Sequence, residues 1–146
     1  MSLAIDQAKR AYRLKEVPIG AVVISDGKIL GRGFNKRESA DDPLAHAEII
    51  AIRKAAVKKK NFRLSDCEIY VTVEPCILCL GAIIQSRIKR IVFGCRNPRE
   101  GALSLLPAIR KKMKMNYKIK VTGGVCQELS KDLLRSFFQK LRTRKS

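Results

Sequence analysis

The chain has 146 residues, 46% of them hydrophobic, with 31 lysines and arginines against 13 aspartates and glutamates, a formal net charge of +18. That length fits a single domain over residues 1–146, and that hydrophobic content excludes an intrinsically disordered chain. No apolar run reaches the roughly 18 residues of a membrane helix, and Met1-Ser2-Leu3-Ala4-Ile5-Asp6 lacks the features of a secretory leader, so a cytoplasmic protein is expected.

Small soluble domains usually carry a net charge of roughly 2 to 8 in magnitude. Self-repulsion at +18 points to a polyanionic partner, nucleic acid first. The five cysteines form an odd set, which argues for reduced thiols.

In chain order, residues 3–15 space Leu3, Ala4, Ala8, Ala11, Tyr12 and Leu14 as a helix. Ile19-Gly20-Ala21-Val22-Val23-Ile24 reads as a buried strand, and the Asp26-Gly27 turn leads into a second strand over 29–34 that ends at Asn35. A polar loop over 36–44 precedes a helix over 45–59 whose apolar face is expected to hold Ile49, Ile52 and Ala56. Strands follow over 68–73 and 90–94, separated by a helix that Pro75 starts and that runs to about residue 86. Residues 97–106 read as a loop, 108–115 as a short basic helix, 117–122 as a strand, and 129–141 as a closing amphipathic helix. The order predicts an α/β domain, a central sheet with helices on both faces.

Two short strings carry the chemistry: Ala45-His46-Ala47-Glu48 and Glu74-Pro75-Cys76-Ile77-Leu78-Cys79. His46, Cys76 and Cys79 offer one imidazole and two sulfurs, three ligands that leave the fourth position of a tetrahedral zinc open to water. Each string lies where a strand or loop enters a helix, and a helix N-terminus favours thiolate over thiol. Cys76 and Cys79, three apart, project from one side of a turn. The expected geometry is therefore two helix starts meeting at one metal ion. Glu48, not itself a ligand, is placed to take the proton of a bound water and return it in general acid–base fashion, a task suited to a carboxyl raised by burial.

Weaker readings exist for each string alone. His46 is the only histidine, and a lone histidine is more often packed than ligating. A single Pro-Cys-x-x-Cys could be half of a zinc ribbon or a redox pair. A ribbon needs a second Cys-x-x-Cys, which the chain lacks, and a redox pair leaves His46 and Glu48 unexplained. The two strings together favour a catalytic zinc.

The pattern H-x-E…P-C-x-x-C resembles that of zinc nucleobase deaminases. Glu16-Val17-Pro18-Ile19-Gly20-Ala21-Val22, Asn35, Asp42-Pro43, Asn61-Phe62-Arg63-Leu64, Tyr70-Val71-Thr72-Val73-Glu74 and Ser86-Arg87-Ile88 extend the resemblance to bacterial tRNA adenosine deaminases over about residues 8–142. It implies a cytidine-deaminase-like three-layer α/β/α fold, a central mixed five-stranded sheet, a homodimer and one Zn²⁺ per subunit. It also implies conversion of the wobble adenosine of a tRNA anticodon to inosine, through attack of zinc-bound hydroxide on C6 of the flipped-out adenine with Glu48 as proton shuttle. Asn35 would hydrogen-bond the base, and Val17, Ile19 and Ala45 would wall its pocket, with Phe93 bordering the same cavity. The sequence departs from the family pattern at Asn97, where an acidic residue usually contacts the backbone sugar, at Gly101-Ala102-Leu103-Ser104-Leu105, and at Asn116-Tyr117 in place of Asn-His. The change at residue 97 puts discrimination between ribose and deoxyribose in question.

Three basic clusters are available to RNA phosphates: Lys58-Lys59-Lys60 with Arg63, the segment with Lys111 and Lys112, and the C-terminal segment with Arg142 and Arg144. Such contacts add affinity without sequence choice and make binding steeply salt-dependent. Taken singly, each cluster also reads as a solvated helix face. Three rival functions remain at this level, one of them an RNA-binding partner of this fold without catalysis, which the intact Glu48 disfavours. A deaminase of a free base or nucleotide is disfavoured by the +18 charge. A non-catalytic zinc-bearing nucleic-acid-binding module leaves Glu48 and the open coordination position without a use.

Overall fold

The structure is a computed structural model and describes residues 1–145. Its strands are β1 (Gly20–Ser25), β2 (Lys28–Phe34), β3 (Glu68–Val73), β4 (Arg90–Cys95) and β5 (Lys120–Thr122), in one sheet of order β2-β1-β3-β4-β5. β1 pairs antiparallel with β2 and β3, while β3, β4 and β5 run parallel. The helices are α1 (Ser2–Arg13), α2 (Ala47–Lys59), α3 (Ile77–Gln85), α4 (Leu106–Lys112) and α5 (Gln127–Lys145).

Strand alternation divides the core. Ala21 and Val23 of β1, Ile69 and Val71 of β3, and Ile91 and Phe93 of β4 face one side, where α2 and α3 add Ala51, Ala55, Leu80 and Ile83. On the opposite face Gly20 lies against Ala4 and Ala8 of α1, and Gly94 lies against Ser130 of α5. Helices on both faces of a mixed five-stranded sheet give the expected three layers.

Four elements differ from the sequence reading. The buried face of α2 is Ala47, Ala51 and Ala55, whereas Ile49, Ile52 and Ala56 are only half-buried. The partner strand sets this: a side chain at Gly31 or Gly33 of β2 would strike the backbone of Ala51 or Ala47, so helix and strand approach too closely for branched residues between them. α4 starts at Leu106, two residues before the expected start, with Pro107 in its first turn. It supplies the crossover that the parallel β4–β5 pair requires. The last strand shrinks to Lys120–Thr122 because the Tyr117 hydroxyl donates to the Ile84 carbonyl at 2.8 Å, tying this segment to α3 before the strand begins. α5 extends beyond the expected helix at both ends.

The topology brings several chain segments to one edge of the sheet. The carboxyl ends of parallel β3 and β4 lie side by side, with the Glu74 N–H donating to the Cys95 carbonyl at 2.8 Å. Antiparallel β1 begins, and β2 finishes, at this same edge, where the Asn35 N–H donates to Ile19.

Candidate active site

Both metal-binding strings meet at that edge. His46 is the N-cap of α2 and Cys76 the N-cap of α3, one position outside the first turns expected for them, both in extended backbone. N-cap side chains commonly fold back onto the helix N–H groups. Neither His46 nor Cys76 does so, which leaves imidazole and thiol available to a shared ligand. Cys79 lies in the first turn of α3, buried. The three ligand atoms lie within 4.8 Å of one another, and Cys76 Sγ is 3.7 Å from His46 Nδ1. Tetrahedral zinc bonded to sulfur and nitrogen implies a sulfur–nitrogen edge of about 3.6 Å, so the group fits such an ion. Two sulfurs and an imidazole suit zinc better than the hard cations that prefer oxygen.

Proton sharing within the group is strongly biased. The Cys76 thiol is held down at about 3, chiefly by its hydrogen bond with Cys79 and further by His46, against the opposing effect of burial. Cys79 is pushed far above the thiol range by the same hydrogen bond, then by burial and the Glu48 charge. His46 is raised, first by its hydrogen bond with Cys76. The two thiols thus share a proton through one hydrogen bond, and a metal ion bound by both sulfurs would displace it. Glu48, in the first turn of α2, is buried, and loss of water raises its carboxyl above the ordinary range despite opposing bonds from its own N–H and from Cys79.

A cavity of about 620 Å³ opens over this floor. Val17, Ile19, Asn35 and Asn97 line it together with His46, Glu48 and Cys76. The Asn35 side chain is oriented from both sides, its Nδ2 donating to the Val17 carbonyl at 3.4 Å and its Oδ1 accepting from the Arg37 N–H at 3.3 Å. Arg142 reaches the cavity mouth. Ala45 is buried but does not line the cavity; its carbonyl accepts from the Lys36 N–H, closing the 36–45 loop. Phe93 does not line it either. Its ring packs under Gly123 and borders a separate apolar cavity of about 630 Å³, because its position in β4 faces the α2–α3 side. Lys111 and Lys112 lie apart from the cavity as well: α4 returns from the pocket edge to the start of β5, so its last turn points to the opposite end of the sheet. Arg144 is exposed on the last turn of α5.

The structure adds residues that the sequence reading did not single out. Arg37, Arg96 and Arg99 join Arg142 around the mouth. Leu134 and Phe138 line the wall from α5, eight and four residues before Arg142, a helical stripe that the sequence pattern contained but that nothing local aimed at the site. Glu16, buried, accepts from the Ser39 and Glu38 N–H groups and holds the loop that carries Arg37.

A cytidine-deaminase-like sheet that brings a three-ligand metal group and a buried carboxylate to the ends of its parallel strands defines the class of hydrolytic deaminases. A family model described as MafB19-like deaminase matches residues 1–142. The tRNA-specific adenosine deaminases of Haemophilus influenzae and Bacillus subtilis are 44% and 38% identical to it, each over 99% of this chain and over 84% and 90% of their own lengths. The chain belongs to this tRNA-specific adenosine deaminase family. Among solved structures, a tRNA:A34 deaminase studied for A-to-I editing at the wobble position superposes with a TM-score of 0.84 at 35% identity, covering 92% of this chain and 97% of that one. A guanine deaminase from Nitrosomonas europaea, 23% identical with a TM-score of 0.77 over 93% of this chain and 81% of its own, shares the fold.

Proposed function

We propose that this chain is a single-domain, homodimeric, cytoplasmic zinc enzyme that converts the wobble adenosine of a tRNA anticodon to inosine with release of ammonia. The observation that carries the reading is the convergence of His46, Cys76 and Cys79 beside buried Glu48 at the floor of one cavity of about 620 Å³, in a chain 44% identical to a tRNA-specific adenosine deaminase. The mouth supports a polyanionic substrate over a free base, since Arg37, Arg96, Arg99 and Arg142 outnumber the carboxylates beside them, Glu100 and the buried Glu74. Apolar side chains exposed next to the site, Ile77 and Leu78 on α3 and Leu105, support burial against a second copy. No helix among the described residues is long and apolar enough to cross a membrane.

His46, Cys76 and Cys79 would hold zinc, which when bound supplies a water activated for attack at neutral pH. The remaining chemistry belongs to the chain. Asn35, held by Val17 and Arg37, presents amide groups to the edge of a flipped-out purine, and Val17 and Ile19 give the ring an apolar wall. The Glu48 carboxylate removes a proton from the attacking water, delivers it to N1 as C6 becomes tetrahedral, then carries the second proton to the departing amine. Burial suits it to this exchange because a raised carboxyl holds its proton closer to neutrality. The arginine rim would bind the flanking phosphates.

The test is inosine formation in an anticodon stem–loop with adenosine at the wobble position, with Glu48→Ala alongside. Product from the wild type that vanishes in the variant is the expected result. No product from zinc-loaded protein would overturn the tRNA reading.

A further inference from the structure

Glu74 has no part in the scheme above, yet the residue is only 7% exposed at the centre of the site's scaffold. Oε1 accepts from the Asn97 N–H at 3.3 Å, Oε2 accepts from the Leu103 N–H at 3.2 Å, and Arg96 lies 3.8 Å from Oε1. One side chain thus fastens both ends of the 96–103 loop, whose residues Arg96, Asn97, Pro98 and Arg99 line the cavity mouth. Two residues further along the chain is Cys76, and the Pro75 carbonyl between them accepts from the Ala102 N–H at 2.9 Å. Loop and metal-ligand turn therefore share an anchor.

Gly101 is the second, independent sign that this anchor is built. A Cβ there would lie 2.5 Å from Glu74 Oε2, closer still to its Cδ, and 2.5 Å from the Asn97 carbonyl oxygen, so the loop closes between carboxylate and Asn97 only because residue 101 has no side chain. The Asn97 side chain is fixed in turn: Oδ1 accepts from the Glu100 N–H at 3.1 Å, and the Asn97 carbonyl accepts from Gly101 at 2.8 Å. With Oδ1 engaged, the Asn97 amide has its two N–H donors left for a substrate.

We propose that Glu74 is a positioning residue for the reaction, its buried carboxylate locking the loop that carries Arg96 and Asn97 against the turn that carries Cys76. This rests on the deaminase reading above. A carboxylate serves where an amide does not, because two N–H groups need two acceptor oxygens and a glutamine offers one.

The experiment compares zinc-loaded wild type, Glu74→Gln, Glu74→Ala and Gly101→Ala on the anticodon stem–loop, with zinc content measured for each. Glu74→Gln and Gly101→Ala should each raise KM about tenfold, the scale of one hydrogen bond to a charged acceptor, with kcat per bound zinc within about threefold. Glu74→Ala should exceed Glu74→Gln in this effect. Wild-type KM in all variants, with only the folded fraction reduced, would overturn the proposal. Amide hydrogen exchange separates its failure from that of the deaminase reading. In Glu74→Gln, Asn97 and Leu103 should exchange about tenfold faster while Lys36 and Ser39 of the other loop do not, whether or not the wild type makes inosine. Unchanged exchange at Asn97 and Leu103 overturns the anchor itself.

Discussion

The floor of the cavity and its mouth are held in different ways. On the floor, His46 and Glu48 belong to the start of α2, and Cys76 and Cys79 to the start of α3, so the groups proposed to react are set by helix termini docked on the sheet. At the mouth, Arg37 and Arg96 ride on loops anchored by buried Glu16 and Glu74, and Arg142 stands on the last turns of α5. The floor places few groups at short distances with strongly shifted proton affinities. The mouth places exposed positive charge whose geometry tolerates adjustment. Chemistry demands ångström placement of a few atoms, whereas phosphate attraction is long-ranged and screened.

The contrast can be broken most severely at the metal ligands. Stripping zinc with a chelator should reduce inosine formation to background and restoring zinc should recover it, while Cys79→Ser should stay inactive at equal zinc, read by metal analysis beside product assay. Next, Glu48→Gln should retain zinc and RNA binding yet lose about a thousandfold in turnover, the scale of general acid–base catalysis. Were RNA affinity to fall with it, floor and mouth would not be separable. At the mouth, Arg142→Ala should raise KM severalfold with little change in kcat and reduce the salt slope of RNA binding by about one, measured by fluorescence anisotropy across a salt series.

A smaller effect sharpens the account of the floor. Burial raises Glu48 in the folded protein, so between the ordinary carboxyl range near pH 4 and the raised value the unfolded chain ionises while the folded one resists. Stability is therefore withdrawn as pH rises through that window. Metal-free Glu48→Gln should melt like the wild type below about pH 4 and several degrees higher at pH 7, followed by circular dichroism. Equal melting at both pH values would mean that Glu48 ionises freely. The smallest effect belongs to Lys111→Ala with Lys112→Ala, which should leave KM on the stem–loop unchanged. A rise matching that of Arg142→Ala would mean that RNA extends past the cavity to the far end of α4.

Local spacing made the metal group and Glu48 legible, because a helix start converts short separations such as His46–Glu48 and Cys76–Cys79 into geometry without reference to the rest of the chain. The five strands were legible for the same reason, through alternation and turn residues. Pocket walls were harder. Asn35, Val17 and Ile19 line the cavity where the family resemblance implied them, but Phe93 does not, since a strand of apolar residues does not reveal which face its neighbours will cover. The face of α2 was misjudged on hydrophobicity alone, because Gly31 and Gly33, on a different strand, select alanines.

By itself the sequence determined the side chains available for chemistry: two thiols and an imidazole spaced to share an ion, a carboxylate beside them, a basic chain and the order of its elements, all carried by residue identity and spacings of a few residues. Only the tertiary structure decided that Glu74 underlies the mouth, that Leu134, Phe138 and Arg142 close the cavity from the far end of the chain, and that Lys111 and Lys112 lie away from it. Those placements depend on parallel strand order and on the α4 crossover, contacts between segments whose distance in sequence leaves no local pattern to read.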